Sequence, residues 1–197
     1  MAQAILLALS NPARNHAVCA SYPLDNVPLE GRHLVLTGAM GSGKTTVGGM
    51  CARRLGRRLI DSDEQIKERL GMDGRVLVER EGVQRLHLEE ARALREAVST
   101  VPPAVIAAAA SIGDDPELVS LLATTGAFVV LLDADHEVLN ERTKSGGHRR
   151  HLPTEEAIVR SSERRRRLGG VVALAVDVTK TSPEGVADLI VASAVGD

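Results

Sequence analysis

Large aromatic side chains are almost missing from this chain. It has no tryptophan, one tyrosine (Tyr22) and one phenylalanine (Phe128). Its core must therefore be packed from Leu, Val, Ile and Ala. A bound base would have to be held by aliphatic or arginine contacts, and sequence-tolerant stacking on nucleic acid is not expected. Cysteine is scarce too. Cys19 and Cys51 are too far apart for a Cys-x-x-Cys unit and form no ligand cluster with histidine, which reads as two reduced thiols of a cytosolic protein. Long apolar runs are also lacking. The stretch AILLAL at residues 4–9 is too short to span a bilayer and has no basic segment before it, so it makes a poor signal peptide. A formal net charge of -2 gives no bulk attraction to nucleic acid or membrane. The expected setting is the cytoplasm, with neither nucleic acid nor membrane as partner.

What is present suits a globular domain. At 197 residues the chain can bury roughly 70% of the surface its unfolded form exposes, so it needs no disulfide staples. Residues 1–32 carry Asn, Pro, Ser and scattered charge without steady periodicity. They read as a loosely structured extension with a short helix over residues 2–9. From His33 the pattern turns regular. HLVLT, RLID, AVIAAA, FVVLLD and LAVDV read as strands, and the third and fourth are apolar without alternation, as in strands covered on both faces. Helices are expected over residues 44–55, 64–70, 83–98, 116–124, 136–144 and 155–168, and in a closing segment capped by Ser182 with Pro183 at its first position. Thr154 is the expected cap of the 155–168 helix. Strand and helix alternate, which implies an α/β fold: a central parallel sheet between two helical layers, spanning residues 33–197.

The sharpest signal is GAMGSGKT, residues 38–45, which fills every position of G-x-x-x-x-G-K-[ST] between a strand and a helix. Glycines let the backbone wrap a phosphate, and their N–H groups with the helix N-terminus point positive dipole at it. Gly38, Gly41, Ser42, Gly43, Lys44, Thr45 and Thr46 are thus the candidate contacts to ATP. Lys44 neutralises β/γ-phosphate charge and the Thr45 hydroxyl is a candidate Mg²⁺ ligand. Just beyond the second strand, LIDSDEQI carries Asp61 and Asp63 at a strand's carboxyl end, where open α/β sheets bind ligands. If the strand continues, the two point the same way. One carboxylate can hold magnesium while the other meets an acceptor hydroxyl. Equally, Asp63 reads as the N-cap of a helix beginning at Glu64.

From LTGAMGSGKTTVG through ARRLGRRLIDSDEQI, the chain resembles the start of a shikimate kinase, and the likeness extends to the last helix. That resemblance implies a small P-loop enzyme of nucleoside-monophosphate-kinase-like fold, a monomer that moves the γ-phosphoryl of ATP to a hydroxyl of a small molecule in aromatic amino acid biosynthesis. It implies Asp61 beside the magnesium and Asp63 at the reacting hydroxyl. SGGHRRHL, residues 145–152, resembles the mobile lid, with Arg150 reaching the phosphoryl group and Lys144 near the adenine. Arg165, in RRRRL, falls near the arginine that grips the substrate carboxylate. By position alone, four consecutive helical arginines point in four directions, and most of them read as a solvated face. Asp133, ending VVLLD, fits a Walker-B aspartate only superficially and reads as structural.

Two acceptor elements depart from that family. Its glycine-rich turn after the central strand is here Ala109, Ala110 and Ser111, which lose ready access to φ > 0 and so alter the pocket wall. Its Phe-Arg-x-x-Glu pattern is here LHLEE: Leu86 replaces the aromatic and His87 the carboxylate-binding arginine, while Glu90 stays. Histidine cannot offer arginine's bidentate, permanently charged grip. Alternatively, His87 is a helix-surface residue paired with Glu90 one turn on. Two further readings follow from the departures: a catalytically weak nucleotide-binding module, and a kinase retuned to an acceptor without a carboxylate. A nucleoside kinase would want aromatic residues to line a base pocket on the acceptor side, and the chain supplies none.

Overall fold

The computed structural model of the protein describes residues 20–21, 29–145 and 155–195. The helix expected over residues 2–9, Cys19, Thr154, Arg150 and all of the 145–152 lid beyond residue 145 lie outside the described residues.

The strand β2 (Leu34–Gly38) is buried at every position, because both faces of the sheet are covered. Leu34 and Leu36 enter one apolar cluster, while Val35 between them enters the other, as the two-residue period of a strand requires. On the first face lie α1 (Lys44–Leu55) and α8 (Pro183–Val195), through Val47, Cys51, Val186 and Ile190. On the second lie α4 (Val83–Val98), α5 (Pro116–Thr124) and α7 (Glu155–Leu168), through Leu94, Ala97, Leu118, Leu122 and Leu168. Each fully buried Leu or Ile contributes about 1.5–3 kcal/mol, so aliphatic side chains suffice where aromatics are missing.

β2 pairs in parallel with β4 (Val105–Ala107) and β5 (Phe128–Asp133); β3 (Leu59–Asp61) adds to β4 and β6 (Val172–Asp177) to β5. The sheet order is thus β3-β4-β2-β5-β6, with β1 (Ala20–Ser21) antiparallel on the outer edge of β6. Because five strands run the same way, the segments after β2, β3, β4 and β5 all emerge at one end of the sheet. These segments are the P-loop, Asp61, the Ala109–Ser111 wall and Asp133.

The expected strands and helices of residues 33–195 are present; β4 is shorter than AVIAAA and β6 starts two residues before LAVDV, and three further differences bear on the site. The helix α2 (Ser62–Leu70) starts two residues earlier than expected. A helix α3 (Gly74–Glu81), capped by the Asp73 carboxylate accepting from the Val76 N–H at 3.0 Å, precedes α4 with only Gly82 between them. It is too short to show its period. After β4 the chain enters a 3-10 turn over Ala110–Asp114. α6 (His136–Ser145) completes the helices among the described residues. The end of the N-terminal extension is tied to the domain: Leu29 is buried and donates its N–H to Ala194 O, and Arg57 donates to the carbonyls of Leu29 and Arg32.

Candidate active site

A cleft of about 1050 Å³ opens at the carboxyl end of the sheet. Gly38, Gly41, Ser42, Gly43, Lys44, Thr45, Thr46, Asp61, Asp63, His87, Ala109, Ala110, Ser111 and Arg165, all separate expectations from sequence, line this one cavity. Lys144 falls in the last turn of α6.

The floor of the cleft is the loop between β2 and α1. Gly38 has φ 149°, and a Cβ there would sit 2.2 Å from the Leu132 carbonyl oxygen on β5. Only glycine lets the loop leave the sheet at that point. The Lys44 ammonium donates to the carbonyls of Gly38 at 2.9 Å and Ala39 at 3.1 Å, so its charge is poised over the loop. The Ser42 hydroxyl is buried at the same loop and has no hydrogen-bond partner among the described residues. A buried orphan hydroxyl, a positive side chain and glycine-built space fit a phosphate tail.

Thr45, in the first turn of α1, donates its hydroxyl to Asp61 Oδ2 at 2.6 Å. Asp61 is buried, and its other oxygen accepts the Asp63 N–H at 2.9 Å. Asp61, not Asp63, therefore caps α2. The strand also stops at Asp61, so the same-face argument for the two aspartates does not hold. The turn into α2 brings both to the cleft, and it leaves the Asp63 carboxylate outside the cap. The Ser62 hydroxyl, donating to Ala107 O at 3.0 Å, locks this turn onto β4. A hydroxyl and a carboxylate side by side are the hard oxygen donors that Mg²⁺ takes together with phosphate oxygens, so Thr45 and Asp61 fit that ion.

The acceptor end is built by α4, the wall after β4, and α7. Ala109 is extended, with φ -63° and ψ 154°, and no residue other than glycine has positive φ among the described residues. The alanines thus give the wall an ordinary backbone path ending in a 3-10 turn. The consequence is a new side-chain contact: Ser111 Oγ donates to Glu90 Oε2. Burial pushes the Glu90 carboxyl above the usual carboxylate range. The Ser111 bond and the nearby His87 and Arg164 pull it down, while Asp63 adds to the rise. The hydrogen bond found for Glu90 is thus with Ser111 across the cleft wall.

Within the arginine run, Arg165 pairs through Nη1 with Asp133 Oδ2 at 2.8 Å. Leu132 is in register with Gly38, so this pair stands beside the P-loop. Burial pushes the Asp133 carboxyl up despite the Arg165 charge. Arg164, one residue earlier, faces the 3-10 turn and forms a two-pronged ion pair with Asp114. Sequence reasoning missed Arg164, Asp114 and the Ser111–Glu90 bond. A helical run of four arginines contains no mark of which one faces inward.

Behind this wall, Glu89 is buried on α4 between Arg69 of α2 at 3.2 Å and Arg85 at 2.8 Å. The Arg69 approach is an ion contact whose angle misses hydrogen-bond geometry. It ties the helix that follows Asp61 to the helix that carries His87 and Glu90.

The shikimate kinase family model matches residues 40–194. The shikimate kinase of Geobacter sulfurreducens is 37% identical over 164 residues, 82% of this chain and 90% of that protein. That of Synechococcus sp. is 34% identical over 164 residues, 81% of this chain and 84% of its own length. Among solved structures, shikimate kinase from Acinetobacter baumannii in complex with shikimate superposes with a TM-score of 0.71 at 25% identity, covering 82% of this chain and 91% of that one.

Proposed function

From the premise that this chain belongs to the shikimate kinase family, we propose that its acceptor is shikimate, phosphorylated with the help of Mg²⁺ held by Thr45 and Asp61. The protein is a phosphotransferase that uses ATP with a hydroxyl acceptor. The observation that carries the proposal is the single cleft in which the P-loop lysine, the Thr45–Asp61 pair and the outward Asp63 carboxylate meet an acceptor wall with an inward-facing arginine.

In the reaction the acceptor oxygen attacks the γ-phosphorus, the bond to the β–γ bridging oxygen breaks, and ADP leaves. Asp63 orients the attacking hydroxyl and takes its proton as the new bond forms. Lys44 moves from the loop carbonyls to the phosphates and neutralises charge as it shifts to the leaving group. Arg150 reaches the transferring phosphoryl from the lid, whose closure excludes water and limits ATP hydrolysis. A bound magnesium ion would supply further neutralisation of phosphate charge. Glu90 and Ser111 bind acceptor hydroxyls. We assign the acceptor's carboxylate to Arg164 in place of Arg165, because Arg165 is committed to Asp133 beside the P-loop. We further propose a cytoplasmic monomer with a catalytic domain at residues 33–197 and residues 1–32 as an extension.

ADP release with Mg²⁺-ATP is the test, run with shikimate and with a panel of neutral polyols and cyclitols. Saturable, shikimate-dependent release is expected. Release no faster with shikimate than with water would overturn the proposal.

A further inference from the structure

Arg164 is not a loose side chain at the cleft wall. Gly113 lies so close to α7 that a Cβ on it would stand 3.1 Å from Arg164 Cβ and 3.3 Å from Arg164 Cα. This contact carries Asp114, the next residue, directly under the guanidinium. Arg164 Nε donates to Asp114 Oδ1 at 2.8 Å, and Nη2 donates to Oδ2. The two side chains are 23% and 27% exposed, so the pair is set into the wall with one side open.

A guanidinium has two edges that can each bind a carboxylate with parallel hydrogen bonds. Asp114 takes the edge formed by Nε and Nη2. The edge formed by Nη1 and Nη2 holds no partner among the described residues, and Arg164 lines the cleft. Burial would raise the Asp114 carboxyl, but the Arg164 bonds and charge outweigh it and hold the group below its usual range, so the pair stays ionised. His87 stands near both Asp114 and Glu90 and cannot offer a second fork of this kind.

We propose that Asp114 is a positioning residue: by holding the Nε–Nη2 edge of Arg164, it presents the Nη1–Nη2 edge to the carboxylate of the acceptor and so sets affinity for carboxylate-bearing acceptors. This rests on the reading above that the acceptor is shikimate. Without Asp114, the long Arg164 side chain has several rotamers and must be ordered by the ligand itself, which weakens binding. Asp114 also brings a negative charge near the bound carboxylate. Arg164 stands between the two and offsets that cost.

The experiment compares Asp114→Ala, Asp114→Asn and Asp114→Glu using two acceptors, shikimate and its neutral methyl ester. Asp114→Ala is expected to raise KM for shikimate about tenfold, the scale of a disordered charged two-pronged contact. KM for the ester, KM for ATP and kcat should stay within about twofold, since none of them uses that fork. Asp114→Asn keeps one acceptor oxygen and should fall between wild type and alanine. Asp114→Glu should recover part of the loss. If the alanine variant does not fold, the asparagine variant alone carries the test. An equal rise for both acceptors, an unchanged shikimate KM, or a lower one would overturn the inference while wild-type turnover of shikimate leaves the functional proposal standing. Absence of shikimate turnover by the wild type would overturn both.

Discussion

Thr45 Oγ1 and Asp61 Oδ2 lie 2.6 Å apart, one in the first turn of α1 and the other at the last residue of β3. Through this contact the phosphate loop is coupled to the turn that presents Asp63, because the other Asp61 oxygen accepts the Asp63 N–H. Nucleotide side and acceptor side therefore share one carboxylate. Replacing Thr45 with valine removes a donor to Asp61 and one oxygen from the cation's reach. Thr45→Val is expected to lower kcat/KM for ATP about 10²–10³-fold, with a smaller effect on melting temperature. The loss should be read in steady-state kinetics across a magnesium titration. An unchanged magnesium dependence would argue against a metal role for Thr45.

Asp63 is exposed and is not the cap of its helix, so its carboxylate can be changed without unmaking α2. Asp63→Asn is expected to reduce kcat about 10²–10⁴-fold, the usual worth of a positioned general base. The affinity for ATP, measured by calorimetry, should be kept. Loss of ATP binding in step with turnover would assign Asp63 to the nucleotide instead.

Gly38 should tolerate nothing larger. Its absent Cβ would lie 2.2 Å from a β5 backbone oxygen, and neither β2 nor β5 can yield without breaking their register. Gly38→Ala is expected to destabilise the fold by about 2–4 kcal/mol and to abolish ATP binding in whatever fraction folds. A variant that binds ATP normally would contradict this account of the loop.

Glu89 is a buried carboxylate between two guanidiniums. Removing the buried carboxylate costs both arginines a partner, but Arg85 is 39% exposed, so solvent screens part of the loss and about 1–3 kcal/mol remains. Glu89→Gln should therefore lower Tm by about 2–12 °C in a chain of this size. The measurement is a thermal melt at neutral pH. A shift of a degree or less would mean that Arg69 and Arg85 find sufficient compensation from Glu96 and Glu81.

Burial raises the Glu90 carboxyl, which sets a pH dependence of known sign. An acid whose folded-state pKa is raised binds its proton more tightly when folded. It favours folding below its unfolded value, and that contribution is lost as pH rises through the folded one. Glu90→Gln mimics the protonated acid at every pH. The melting temperature of the variant relative to wild type should accordingly rise as pH climbs from about 4, the unfolded value, through the raised folded one. Asp133, raised in the same direction, is present in both proteins and cancels. A constant offset across the range would show that Glu90 titrates alike in both states.

Much of this molecule was legible in order along the chain. FVVLLD forms β5 over the expected span, Gly56 and Gly71 end their helices in the left-handed conformation, and Ser182 caps α8 by accepting the Gly185 N–H. GAMGSGKT folds into the loop that its spacing implies. Each of these depends on residues within a few positions of one another, so local preference and hydrophobic period are enough. The aspartate pair shows where that reasoning runs out. Whether Asp61 or Asp63 caps α2 turns on where β3 stops, and β3 stops where Ser62 locks onto Ala107 of another strand.

The sequence by itself determined the layered sheet, the phosphate-binding loop and the altered composition of the acceptor wall. Only the tertiary structure decided that Arg164 meets Asp114 while Arg165 meets Asp133, and that Ser111 spends its hydroxyl on Glu90. The reason is geometric. Neighbouring residues on a helix diverge by about 100°, so one position of register changes the partner completely. That register is set by contacts such as Gly113 against Arg164, between segments about fifty residues apart.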